Sequence, residues 1–456
     1  MLLGGSPLRL VTLSAGGRRA FAALRGGATV GAAGPGADVL GRRLVEAGLL
    51  HPLPPPQDPA RDRITAVVPV RDGEGRIGPL VAALRGECAE VIVVDDGSRD
   101  ETAAQAEAAG ARVLRHDRSR GPGAARTTGS RAAGTDLIAF CDADVHPVPG
   151  WLDRLAVHLA DPAVVAVAPR VSSPVPPGRP AGLRHRYEAD RSPLDLGARG
   201  AAVHPGSRVS YVPTAALLIR RDHVDFDPAL RHGEDVDLVW RLLAAGHCVR
   251  YEPAAVVRHE PRASWSAWAR QRHDYGSSAA RLARRHPGPL RPSGAAAGTV
   301  LAAGVLAVRP DRVGVGLTGM IVAGAGIQTA ARLSRRLSRV EGRAGVVLAL
   351  TARQRRRGLL FAAETARRTW LPVLVGAAGC RAGRLLLVSV ALPLVHEWWV
   401  RRPAVGLVPY VLVRLMDDSA YSVGVWAGCL AERSLTPLLP ARPRRPWAGR
   451  SREASV

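Results

Sequence analysis

Between Ile64 and Asp142 the chain repeats one pattern four times. Short apolar runs, "ITAVVPV" (64–70), "EVIVVDD" (90–96), "RVLRH" (112–116) and "DLIAFCD" (136–142), are separated by the helical stretches "GPLVAALRG", "ETAAQAEAAG" and "GAARTTGSRAAG". Short buried strands that alternate with helices build βαβ units and a parallel sheet. The expected fold class is therefore α/β. In such sheets ligands bind at the carboxyl ends of the strands. The polar residues collect at those ends: Arg71 with Asp72, Asp95 with Asp96, and Asp142 with Asp144.

The last of these pairs poses a physical problem. Two carboxylates one residue apart raise each other's pKa and cost free energy unless something offsets the charge. A divalent cation does so, and magnesium or manganese takes carboxylate oxygens together with substrate phosphates. Asp95 and Asp96 can accept hydrogen bonds from a ligand held at the strand end; Asp95 serves equally well as a cap for the turn "GSRDET". "GPGAAR" sets glycines ahead of a helix, whose free N–H groups suit an anion. Arg126 is then within reach of phosphate or ribose, although an ordinary helix start has the same composition. "GEDVD" sets Glu234 and Asp235 before "VDLVWRLLAAG", which has helical spacing. Carboxylates at a helix N-terminus are favoured in their ionised form. Asp237 reads as a first-turn acid.

Charge limits the partners. The chain of 456 residues has 63 basic and 39 acidic residues, a net charge of +24, and every base is arginine. Anionic partners are favoured, whether nucleotide phosphates or an acidic membrane surface. Nucleic acid is not expected, because the arginines are dispersed and aromatics are only 4%. Cys88, Cys141, Cys248, Cys380 and Cys429 are isolated, which suits a reducing compartment. The N-terminus has no uninterrupted apolar core of a signal peptide.

Four segments follow from these shifts in composition. Residues 1–50 form a small N-terminal module, either a winged-helix-like docking unit or a packing extension. Residues 51–62, "HPLPPPQDPARD", read as a proline-rich linker. Residues 63–290 hold the α/β domain, and 291–456 a helical region with uncharged stretches at 293–308 and 313–331. The second stretch is long enough to cross a bilayer. Nine arginines follow between 332 and 357, so the positive-inside rule puts this flank and the α/β domain on the cytoplasmic face of the cell membrane. Buried core helices are the alternative.

Taken in order, "VVPVRDGEGRI", "VIVVDDGSRDET", "RGPGAARTTG", "FCDAD", "YVPTAALLIRR" and "RHGEDVDLVWRLLAAGHCVRYEP" resemble the family 2 glycosyltransferases over Ile64 to Pro289. That likeness implies a GT-A, Rossmann-like domain that binds a nucleotide sugar. It assigns Pro69, Asp72 and Asp96 to the nucleoside, Asp144 to the metal directly and Asp142 to the ribose or a ligand water. It makes Asp235 the base, positioned by Glu234. Some relatives use a histidine at the place of His259 as a further metal ligand; a lone histidine is more often structural. "SAWARQRHDYG" stands where processive relatives have a Gln-x-x-Arg-Trp motif, which it is not, and offers Arg270, Arg272 and Tyr275 to diphosphate or acceptor. The N-terminal "LRLVTLS", "HDYGSSAARLARRHPG" and "RLMDDSAYSVGVWAGCL" further resemble the mycofactocin-system glycosyltransferases. These imply glucose from UDP-glucose, β-linked, built as an oligosaccharide on the peptide-derived premycofactocin. The nearest alternative is a membrane glycosyltransferase acting on a polyprenyl phosphate or an envelope polysaccharide. A nucleotidyltransferase would want the same carboxylates and metal.

Overall fold

A computed structural model describes residues 2–6, 8–55, 58, 60–175, 181–287, 301–302, 304–305, 308–309, 311–338 and 342–439. The chain divides into two compact units. One comprises the described residues of 1–177 and 191–261, the other those of 178–190 and 262–448.

The first unit opens with a hairpin of β1 (Leu2–Gly4) and β2 (Arg9–Val11), followed by helices Ala15–Arg25 and Ala37–Glu46. Its sheet contains β3 (Ile64–Val70), β4 (Glu90–Asp95), β5 (Arg112–Arg115), β6 (Leu137–Cys141), β7 (Val145–Pro147), β8 (Val164–Ser172), β9 (Ala201–Ala202), β10 (Ala216–Arg220) and β11 (Cys248–His259). The order is β5-β4-β3-β6-β10-β8-β11-β7, with β9 paired to β11. The four predicted runs are β3 to β6, and they lie side by side and parallel. β10 is inserted antiparallel between β6 and β8, and β11 resumes the common direction beside β8.

The strands form because their side chains are apolar on both faces. Every residue of β6 is buried, and β3 is buried except at half-buried Pro69. The helix Pro122–Ala132 lies tightly on β3 and β4. A Cβ on Gly129 would fall 2.4 Å from Val67 Cγ1, so only glycine lets this helix approach the sheet without displacing it. That approach sets how far the helix start stands from the strand ends.

The N-terminal segment belongs to the sheet unit. Ser6 Oγ accepts from the Arg208 N–H at 2.7 Å, and His51 meets Glu252 at 2.9 Å.

The second unit is helical: Leu183–Arg191, Trp265–Arg285, Arg312–Arg336, Arg343–Thr369, Leu371–Gly376, Arg381–Arg401 and Leu407–Ala431. The change of unit falls at residue 262, earlier than the expected boundary at 290. Trp265–Arg285 therefore belongs with the helices, held there by backbone-to-backbone contact. A Cβ on Gly276 would fall 2.1 Å from the Tyr421 carbonyl, and one on Gly424 2.0 Å from that of His273. The uncharged stretch 313–331 lies within Arg312–Arg336. The stretch 293–308 falls largely outside the described residues. Among those described, Arg312–Arg336 and Arg381–Arg401 are long and apolar enough to cross a membrane, and only 6% and 11% of their apolar windows are buried.

Candidate active site

β3 and β4 end in register, Val70 opposite Asp95. After β4 the chain turns through Gly97 at φ +77°, where a Cβ would press on the Arg118 and Ser119 backbone at 3.0–3.2 Å. Asp95 is fully buried; its Oδ1 accepts from the Ser98 N–H at 2.8 Å, as a turn cap does. Its Oδ2 lies 3.5 Å from Arg115 Nε and has no hydrogen bond among the described residues. Asp72, at φ +51°, is exposed and accepts from the Arg99 N–H at 3.1 Å.

Asp96 departs from the expected role. Its carboxylate accepts from His116 Nδ1 (2.7 Å), Ser119 Oγ (2.7 Å), the Arg120 N–H (2.8 Å) and the Gly121 N–H (2.9 Å). Burial alone would raise this carboxyl, but these donors outweigh it and hold it below its ordinary value. With its acceptor positions filled, Asp96 shapes the loop before Pro122 and is not poised to take ribose hydroxyls. The anion at that loop is the protein's own.

A second group gathers around Arg126. The guanidinium is buried, with Nη2 donating to Asp142 Oδ1 at 2.7 Å and Nη1 to Glu234 Oε1 at 2.8 Å. Burial opposes its charge, yet Asp142 and Glu234 hold its pKa above the ordinary value. The structure places both Nη donors of Arg126 on carboxylates, where the sequence had offered the residue to phosphate or ribose. Asp142 directly follows β6, and its N–H donates to the Ala215 carbonyl at 2.9 Å. Burial pushes the Asp142 carboxyl up and Arg126 pulls it down; Asp144 pushes it up again, and the net shift is upward.

Asp144 Oδ2 stands 3.5 Å from His259 Nε2, because β7 pairs with the end of β11 at Val145–His259. His259 is buried, and among the described residues its Nδ1 has no hydrogen-bond partner. Glu234 and Asp235 open the helix Glu234–Ala244 behind Gly233 at φ +78°. Burial, and next the charge of Glu234, push the Asp235 carboxyl up to about 7. Asp237 is buried and accepts from Arg241 Nε at 2.8 Å, a structural acid as its position suggested.

The structure thus brings Asp142, Asp144, His259, Arg126, Glu234 and Asp235 into one carboxylate centre, with Pro69, Asp72 and Asp95 at the adjoining strand ends. Arg272 belongs to the other unit. It is wholly buried in the helical unit, paired with Glu188 and 3.3 Å from Asp417, so its guanidinium is not available to a diphosphate. Arg270 and Tyr275 share its helix. Two residues escaped the sequence reading. His116 ends the run "RVLRH" and could have been found as a polar residue at a strand end. Phe226, stacked 5.7 Å from the Arg126 guanidinium and 5.5 Å from Phe140, had no local signal.

These residues suit a divalent cation. The neighbouring charge of Asp144 raises the proton affinity of half-buried Asp142, and a cation relieves that repulsion. Oxygen donors with an imidazole beside them accept manganese or magnesium.

Residues 65–224 match the model of Glycosyl transferase family 2. The chain is 38% identical to the pre-mycofactocin glycosyltransferase of Mycobacterium tuberculosis, over 96% of this chain and 94% of that protein. It is 30% identical to the succinoglycan biosynthesis protein ExoU of Rhizobium meliloti, over 43% of this chain and 62% of that protein. The mannosyltransferase PcManGT of Pyrobaculum calidifontis, solved with GDP-Man and Mn2+, aligns at 18% identity over 90% of this chain and 98% of that one, with a TM-score of 0.46. The likeness to the mycobacterial protein runs through the GT-A sheet unit and the helices alike, and the chain belongs to the family 2 glycosyltransferases.

Proposed function

We propose that this chain is an inverting hexosyltransferase that moves a sugar, glucose by its resemblance, from a uridine diphosphate donor onto a peptide-derived acceptor of the premycofactocin type. The observation that carries this reading is the Arg126 bridge. One buried guanidinium joins the strand-end Asp142 to Glu234 at the helix start, and so fixes the donor side of the centre relative to Asp235.

Each residue has a part. Pro69, Asp72 and Asp95 border the place of the nucleoside. Asp144, with Asp142 and His259, would hold the divalent cation, which when bound neutralises the diphosphate as a leaving group. Asp235 takes the proton of the acceptor hydroxyl. The hydroxyl oxygen attacks the anomeric carbon opposite the diphosphate, the carbon–oxygen bond to phosphate breaks, and its electron pair leaves with the diphosphate. An α-linked donor then gives a β-linked product. A carboxylate whose pKa lies near neutrality balances ionisation against proton affinity, as a general base should. The two apolar helices would place the protein in the cell membrane, with the arginine-rich flank and the sheet unit on the cytoplasmic side.

Mass spectrometry of products from the purified protein tests this reading, using a panel of UDP-sugars with premycofactocin or a polyprenyl phosphate as acceptor. A hexose added to the peptide-derived acceptor, lost in excess chelator and restored by manganese or magnesium, is the expected result. Transfer to the polyprenyl phosphate alone, or undiminished transfer in chelator, would overturn it.

A further inference from the structure

Three metal-binding side chains of the sheet unit converge where the proposed transfer has no use for them. His51 stands at the start of the proline-rich segment. His158 lies in the short 3-10 turn Val157–Ala160. Glu252 is on β11. His51 Nε2 is 2.9 Å from Glu252 Oε2, and His158 Nε2 is 3.0 Å from the same oxygen. All three ligand atoms lie within 4.8 Å of one another.

The surroundings hold these groups in place. The parallel register of β11 with β8 breaks between Glu252 and Val256, leaving a bulge at residues 253–255. Bulges re-aim side chains. Here the other carboxylate oxygen, Glu252 Oε1, accepts from the Ala254 N–H at 2.9 Å inside the bulge. The outer oxygen is thereby directed at the two imidazoles, as supporting hydrogen bonds direct metal ligands. The His51 ring packs against Gly200, where a Cβ would come within 2.6 Å of it. Arg250, anchored on Asp161 at 2.8 Å, lies beside the His158 ring. His158 and Glu252 are nearly enclosed, while the His51 side chain is 24% exposed and leaves a side open to water.

One histidine would suffice to satisfy Glu252. Two that present Nε2 to a single oxygen have the form of a ligand set. In tetrahedral zinc sites the ligands stand about 2.0–2.2 Å from the ion, which separates them from each other by roughly 3.3 Å. The 2.9 and 3.0 Å separations here are close to that spacing. Two imidazoles and one carboxylate favour zinc or a late first-row neighbour over the hard magnesium that suits Asp142 and Asp144.

We propose that His51, His158 and Glu252 form a zinc-type metal site, separate from the carboxylate centre, that staples the N-terminal segment to β11. Such an ion binds the folded chain and not the unfolded one, so it raises thermal stability by mass action.

Cobalt(II) titration of the untagged full-length protein tests the site. The protein is first stripped with chelator, then held in excess magnesium to fill the carboxylate centre. One equivalent of Co2+ should give visible d–d absorption that Zn2+ bleaches, and Zn2+ should raise Tm. Both effects should persist in Asp144→Ala and be lost in His51→Gln and His158→Gln, with circular dichroism confirming that these variants fold. If neither histidine variant folds, the parent protein still decides: no d–d band there overturns the proposal. Parental Co2+ affinity in both folded variants also overturns it and leaves a hydrogen-bonded clip.

Discussion

The two units solve the burial problem in opposite ways. In the sheet unit, Ile64, Val67, Ile92, Ile138 and Phe140 are fully buried, and the carboxylates Asp72, Asp142 and Asp144 sit at the strand ends. In the helical unit, Ile327 is 70% exposed, Leu348 72% and Leu430 75%, whereas Arg272, Arg414, Asp417 and Asp418 are buried. Asp418 takes Arg367 Nε at 2.8 Å and is also paired with Arg414. Tyr187 donates to Asp417 at 3.0 Å, and Trp268 to Glu188 at 2.7 Å. A unit with charge inside and aliphatic surface outside is the arrangement that the proposed membrane setting would require, with close glycine contacts and buried ion pairs supplying cohesion. The sheet unit is organised for water and a polar ligand.

The sharpest break of this contrast is extraction. Membranes from expressing cells, washed with alkaline carbonate and then high salt, should retain the full chain. Arginine contacts alone would be screened and released. Recovery in the wash would mean that the exposed aliphatic surface is covered in some other way.

The next largest effect is on stability. Asp418→Ala leaves two buried arginines without their shared partner. Breaking a buried pair in this way typically costs about 3–5 kcal/mol. Asp142→Asn in the sheet unit removes charge beside Arg126 but keeps the side-chain volume and an acceptor oxygen. Thermal unfolding in detergent should show the first variant far less stable than the second. Equal Tm values would remove the buried charges from the account of the helical unit.

Glycines give a smaller effect with an order to test. Overpacking typically costs about 1–3 kcal/mol. At Gly276 the added Cβ meets the Tyr421 carbonyl at 2.1 Å, and at Gly129 it meets a Val67 methyl at 2.4 Å. A side chain can rotate away more easily than a helix backbone can move, so Gly276→Ala should lower Tm more than Gly129→Ala. The reverse order would show that the helices yield more readily than the sheet.

The same contrast explains what could be read in the sequence. β3, β4, β5 and β6 were legible because strands buried on both faces leave continuous apolar runs. The antiparallel insertion of β10 was not, since the apolar run 215–219 looks the same in either direction. Asp142, Asp144, Glu234 and Asp235 were found because strand ends and helix starts mark their residues locally. The occupied state of Asp96, the bracing role of Arg126 and the burial of Arg272 depend on partners 20 to 145 residues away, such as His116, Glu234 and Asp417. No local pattern carries that information. The helical unit gives a related case: Arg272, Arg367 and Arg414 are buried, and nothing in their local sequence marks them as core.

The central claim is that Asp235 is the base of the sheet unit's carboxylate centre, and the pH dependence of kcat/KM tests it most directly. Burial and Glu234 raise this carboxyl to about 7. The base must be ionised to take the acceptor proton, so below that pH it is protonated and idle. The rate should rise about tenfold per pH unit below 7 and level off above it. Asp235→Asn should abolish this limb and lower the plateau by roughly 10²–10⁴-fold, the usual worth of general-base help, while UDP affinity changes little. Near-normal turnover in Asp235→Asn, or the same acidic limb in variant and parent, would contradict the account.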